Sequence, residues 1–118
     1  MIIPIIGLLL GVVIGLVSGI TIPLQFTTYT AVAILAALDT VFGGVRSGIE
    51  KNFDMEIFVS GFFTNALLAA ALTYLGDRLG LPIYYAAIFA FGVRLFNNFA
   101  IIRREIIVKS RETKNKVL

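Results

Sequence analysis

From Met1 to Leu38 the chain carries no charged side chain, and the first to appear is Asp39. A run of this length cannot be covered by the polar surface that a small water-soluble domain needs, so it is expected to be solvated by lipid. The rest of the chain has the same character. Hydrophobic residues make up 58% of the 118 positions and charged residues only 14%, against about 25% charged in an ordinary soluble domain. The mean hydropathy is +0.96. Cys and His are both absent, which removes disulfides, Cys/His metal sites and histidine acid–base chemistry.

Four apolar runs are separated by turn or charge signals, at about 2–17, 28–45, 57–75 and 82–102. Each is close to the ~20 residues that cross a bilayer as a helix. The expected architecture is all-α with four transmembrane helices over residues 1–102, followed by a basic tail at 103–118. The N-terminal run lacks a basic leader, and no small-x-small cleavage pattern follows Val17, so it is read as a retained first helix. With four spans, both termini share a side with the connection between the second and third runs. That side collects Arg46, Lys51 and six tail residues (Arg103, Arg104, Lys109, Arg111, Lys114, Lys116), whereas the other side holds only Arg78. The positive-inside rule then places both termini in the cytoplasm of a multi-pass cell-membrane protein. Tyr29, Tyr74, Tyr84 and Tyr85 all fall at the expected outer boundary, where the amphipathic ring is favoured.

Two features within the spans invite association. Gly7, Gly11, Gly15 and Gly19 recur every fourth residue, which on a helix makes a groove where a second backbone can approach. Packing against another helix of the same molecule is the expected use; a homo-oligomer seam or a partner's membrane helix is the alternative. The second feature is polar. Asp39, Asn65 and Arg94 lie at a common depth, about 10–13 Å from the expected cytoplasmic edge at 1.5 Å per residue. Asn98 lies one turn beyond Arg94. A charge in a span costs about 2.5–3.5 kcal/mol on insertion scales and needs a partner or a purpose. These four residues are expected to form a buried cluster in which Asp39 and Arg94 neutralise each other. Fixing helix register, relaying a proton or ion, and recognising a partner's polar residue are the three roles open to it.

The connection Val45–Glu56 spaces Val45, Ile49 and Phe53 by four among charged residues. This fits either a short amphipathic helix at the membrane surface or a solvated loop. The segment from Arg103 onward has six basic and two acidic residues, a local charge of +4. Its expected partners are anionic lipid headgroups rather than nucleic acid, because it directly follows an apolar span. No GxSxG, HExxH, Walker A or GxGxxG motif occurs. No His is present to activate Ser60, and Asp39 has no second carboxylate within the spans. A non-enzymatic protein without cofactor or metal is expected.

The segments Ala36-Ala37-Leu38-Asp39-Thr40 with Gly43-Gly44-Val45-Arg46, Phe58-Val59-Ser60-Gly61-Phe62-Phe63 with Asn65, Phe89-Ala90-Phe91-Gly92-Val93-Arg94-Leu95-Phe96, and Ile102-Arg103-Arg104 closely resemble the bacterial small basic protein (Sbp) family. The likeness spans nearly the whole chain. It implies a membrane protein of unknown activity whose genes often neighbour those of cell-division proteins, and it marks Asp39, Arg46, Asn65 and Arg94. Gene neighbourhood is an association, not a mechanism. The expected function is therefore a scaffold or accessory subunit serving division or envelope assembly. Anionic headgroups, a membrane-protein partner, a second copy and division proteins are its candidate partners. The headgroup or partner contacts would be Arg46 and the six basic tail residues. The rival is a small transporter or channel subunit using Asp39 and Arg94. The strong Lys/Arg asymmetry argues against the dual topology that some small transporters need, and the Arg partner argues for a locked pair.

Overall fold

Each apolar run becomes a helix, and short local signals set its ends. The computed structural model describes Ile2–Val117. It contains α1 (Ile2–Ser18), a single 3-10 turn (Leu24–Phe26), α2 (Thr27–Ile49), α3 (Met55–Leu79) and α4 (Tyr84–Val117). After α1, Gly19 adopts φ +68°, the left-handed turn that ends many helices. Gly19 therefore stops the helix instead of extending its glycine ridge. The Asp54 carboxylate caps α3 by accepting from the backbone N–H groups of Glu56 and Ile57 at 2.9 and 3.1 Å. Gly80, at φ 69°, closes the other end of α3. One turn earlier, Gly76 packs so tightly against the incoming chain that a Cβ there would lie 2.5 Å from the Leu81 carbonyl oxygen.

The all-α, four-helix expectation holds, with several boundary corrections. Helix α2 continues past Val45 to Ile49, so two of the three apolar residues of the expected surface helix belong to α2. Between α2 and α3 only the short stretch 50–54 remains, and no separate amphipathic helix forms there. The backbone turns at Lys51, whose φ is +62°. Phe53 instead packs its ring at a tilt against Phe58 of α3, with centroids 5.5 Å apart. Helix α4 starts at Tyr84 rather than Pro82 and runs unbroken through Arg103 to Val117. The basic segment is thus the end of one long helix of 34 residues, about 51 Å at the standard rise. That length accounts for most of the 62 Å long axis of the molecule.

Helix α2 is the hub, touching α1, α3 and α4. Around its middle, Val32 and Ala36 meet Ala69 of α3 and Ala87 and Phe91 of α4. The alanines let three helices converge, since small residues permit close approach in lipid. Nearer the α2–α3 connection, Val41, Val45 and Ile49 pack on Ile102. The hydroxyls of buried Thr40 and Thr73 bond back to the Ala36 and Ala69 carbonyls at 3.0 and 2.9 Å, so neither is left unsatisfied in an apolar core. Three helices, α2 (with the turn before it), α3 and α4, are long and apolar enough to cross a membrane, while α1 is shorter at 17 residues. By length and composition this is a multi-pass membrane protein.

Candidate functional site: a polar cleft between α2 and α4

Asp39 and Arg94 do meet. The Arg94 Nη1 stands 3.4 Å from the Asp39 Oδ2. The two sides of the pair differ: the Asp39 side chain is 0% exposed, whereas that of Arg94 is 58% exposed. Both Asp39 carboxylate oxygens are buried without a hydrogen-bond partner. The pair is therefore a buried anion held by a cation on the bundle surface, at a distance longer than a well-formed charge-assisted bond.

The other expected members of the cluster are placed differently. Asn98, only 7% exposed, accepts from Arg46 rather than joining Asp39: Arg46 Nη1 donates to its Oδ1 at 3.1 Å. Arg46 Nε also donates to Glu50 Oε1 at 3.1 Å, one turn along α2. Arg46, expected at the headgroups, is thus held between Glu50 and Asn98. Helix α2 continues far enough to bring this about, joining positions 52 apart in the chain. Asn65 is half-buried on α3 and, among the described residues, forms no hydrogen bond to Asp39 or Arg94. The cluster is two linked pairs, Asp39–Arg94 and Arg46–Asn98, with Asn65 apart. Gly43 lies beside Asn98, where a Cβ would make an ordinary 3.6 Å contact with the Nδ2.

Arg46 and Gly43 line a cleft of about 360 Å³ between α2 and α4, with Ser47, Glu50 and Asn52 at the connection end and Arg94, Asn97 and Asn98 on α4. Asn97 and Asn52 are exposed. Sequence reasoning missed Asn97, Ser47 and Asn52. Asn97 follows Arg94 by three residues and so shares its helix face, a signal that could have found it. Lys109 fastens the same end of the molecule: its Nζ donates to the Ile49 carbonyl at 2.9 Å, a cation at the negative end of α2. Arg103, Arg104, Arg111, Lys114 and Lys116 are exposed. Among the described residues, no group of three or more acidic, Cys or His side chains could hold a metal ion.

The glycine ridge is not packed by the protein's own helices. A Cβ at Gly7, Gly11 or Gly15 would meet nothing within 4 Å, which overturns the expectation of internal packing. The reason is geometric: α1 packs against α2, and its glycines are left on an open apolar groove of about 820 Å³ walled by α1, α2 and α3. The close helix approach occurs elsewhere, at Gly44, where a Cβ would lie 2.9 Å from the Phe58 ring and the Pro4 Cγ.

Comparison with known proteins fits this picture. Residues 22–107 match a family described as a protein of unknown function, DUF1290. The chain is 48% identical over 118 residues to the small basic protein of Bacillus subtilis (strain 168), covering 98% of each chain. It is 41% identical over 102 residues to an uncharacterized protein of Mycobacterium tuberculosis (strain ATCC 25618 / H37Rv), covering 85% of this chain and 84% of the other. No solved structure matches it. With a family match across most of its length and a near full-length relative at this identity, the chain belongs to the small basic protein family.

Proposed function

We propose that this chain is a non-catalytic membrane scaffold or accessory subunit that works by associating with another membrane protein through α1. The observation that supports this most is the uncovered ridge of Gly7, Gly11 and Gly15 on an open apolar groove. Lipid chains are as apolar as the groove, so no hydrophobic force drives a helix into it. Close van der Waals packing of a helix against glycines is a force that remains available. In this reading all four helices span the membrane, with both termini in the cytoplasm and the basic end of α4 at anionic headgroups. The gene neighbourhood of the family makes division or envelope assembly the setting.

Replacing Gly11 by Leu fills the ridge while retaining hydrophobicity and helicity. Cross-linking in native membranes should show a complex with the native chain and lose it with Gly11→Leu, while the variant accumulates normally. An unchanged complex would overturn the proposed use of α1. A second reading, transport, is supported by the buried Asp39 carboxylate, whose oxygens have no hydrogen-bond partner, a group that could exchange a proton. Proton-flux and membrane-potential assays on the purified chain in liposomes separate the two, since a scaffold shows no flux that depends on Asp39.

A further inference from the structure

The α2–α4 cleft holds hydrogen-bonding groups that the protein leaves without partners. Arg46 is occupied by Glu50 and Asn98. A guanidinium can only donate, so the Asn98 atom facing it must be the acceptor Oδ1, and its amide Nδ2 is left as a donor. Asn98 is 93% buried by its 7% exposure, and among the described residues its Nδ2 donates to no protein atom. Arg94 has five N–H donors and, among the described residues, a single partner, the Asp39 Oδ2 at 3.4 Å. The Asn97 amide, also on the cleft wall, bonds to no protein group among the described residues. Ser47 is already spent on the Gly43 carbonyl at 3.0 Å. Of what remains, Arg94 and the Asn98 Nδ2 can only donate, the Asn97 amide can donate or accept, and the Glu50 carboxylate in the lining is held by Arg46.

Position narrows the ligand. The cleft runs from Arg94 toward Ser47, Glu50 and Asn52 beside the α2–α3 connection, so its mouth is at the headgroup level of that leaflet. Arg94 lies nine residues before Arg103 on α4, about 13 Å along the helix, and its exposed side chain can extend part of that way toward the cleft mouth. A donor-rich wall around a largely exposed guanidinium, reached from the headgroup layer, suits an oxyanion rather than a cation or a neutral group. A volume of about 360 Å³ is that of roughly twelve liquid waters and admits such a group with part of its hydration. We propose that the cleft binds the phosphodiester of a membrane lipid in the leaflet beside the α2–α3 connection, its oxygens accepting from Arg94, Asn97 and Asn98. This site is separate from the α1 groove and stands whether or not α1 binds a partner.

Native mass spectrometry and thermal unfolding of the full chain in neutral detergent test the proposal, using phosphatidylglycerol, diacylglycerol and inorganic phosphate as probes. Phosphatidylglycerol should be retained and should raise the melting temperature; diacylglycerol, which lacks the phosphate, should do neither. Asn97→Leu removes an exposed side chain with no hydrogen bond to the fold, and should weaken retention about threefold to tenfold. The double variant Asp39→Asn with Arg94→Gln removes the cation without orphaning the carboxylate, and should weaken it more than tenfold. Arg78→Gln removes an exposed cation at the opposite end of the bundle and should leave retention unchanged. Equal retention of diacylglycerol, or equal loss with Arg78→Gln and Asn97→Leu, would overturn the site. Full displacement of the lipid by millimolar inorganic phosphate would overturn the lipid as occupant and assign the cleft to a soluble anion.

Discussion

Removing one member of the Asp39–Arg94 pair is not equivalent to removing the other. Arg94→Gln leaves a wholly buried carboxylate with no cation and no hydrogen bond, the situation that costs about 3–5 kcal/mol when a buried pair is broken. Asp39→Asn leaves an arginine that is already 58% exposed, so its cost should be nearer ~1 kcal/mol. The expected order of melting temperatures in detergent is native, Asp39→Asn, then Arg94→Gln, with the double variant recovering much of the Arg94→Gln loss. Simple additivity would show that the two residues are not coupled. Sequence made this pair legible because Asp39 and Arg94 are charges set well inside apolar runs. The Arg46–Asn98 bond was not legible, because Arg46 sits where a span was expected to end. Only the extra turn of α2 past Val45 turns it inward to α4.

Glycine spacing identifies which elements could approach closely, but not which do. Four glycines at intervals of four made α1 the expected contact, yet the close approach is at Gly44, where α1 and α3 both press on α2 through Pro4 and Phe58. Gly44→Leu should therefore overpack this junction and destabilise the isolated protein by about 1–3 kcal/mol. Gly11→Leu should change its stability by less than about 0.5 kcal/mol, as expected of a site with no neighbour. Thermal unfolding of the two variants side by side checks this, and equal losses would mean that α1 closes onto its groove in detergent. At the other end of α2, Lys109 ties the projecting part of α4 to the Ile49 carbonyl. Lys109→Met keeps the aliphatic stem and removes the donor. Hydrogen exchange should speed up in the last turn of α2 and beyond residue 105 of α4, with a global loss of about 1 kcal/mol.

For the whole molecule, the helix order and the contacts at each end fix a relative orientation. Pro4 of α1 sits beside Gly44 near the end of α2, and Lys109 of α4 reaches the last turn of that helix. The start of α1, the α2–α3 connection and the basic end of α4 therefore lie at one end of the bundle, while the turn at Leu24–Phe26 and the α3–α4 turn lie at the other. Which end faces the cytoplasm depends on charge, and charge is unevenly split: Arg46, Lys51 and six basic residues of α4 are at the first end, and Arg78 alone is at the second. Positive side chains resist translocation, so the first end should stay inside. A cysteine introduced at Gln25, which is exposed in the 3-10 turn, should react with a membrane-impermeant maleimide in intact cells. One introduced at Lys114 should react only after the cells are permeabilised. The reverse pattern would move the polar cleft to the outer leaflet along with the basic end of α4, because Lys109 and the α2–α3 connection cannot be on opposite sides of the membrane.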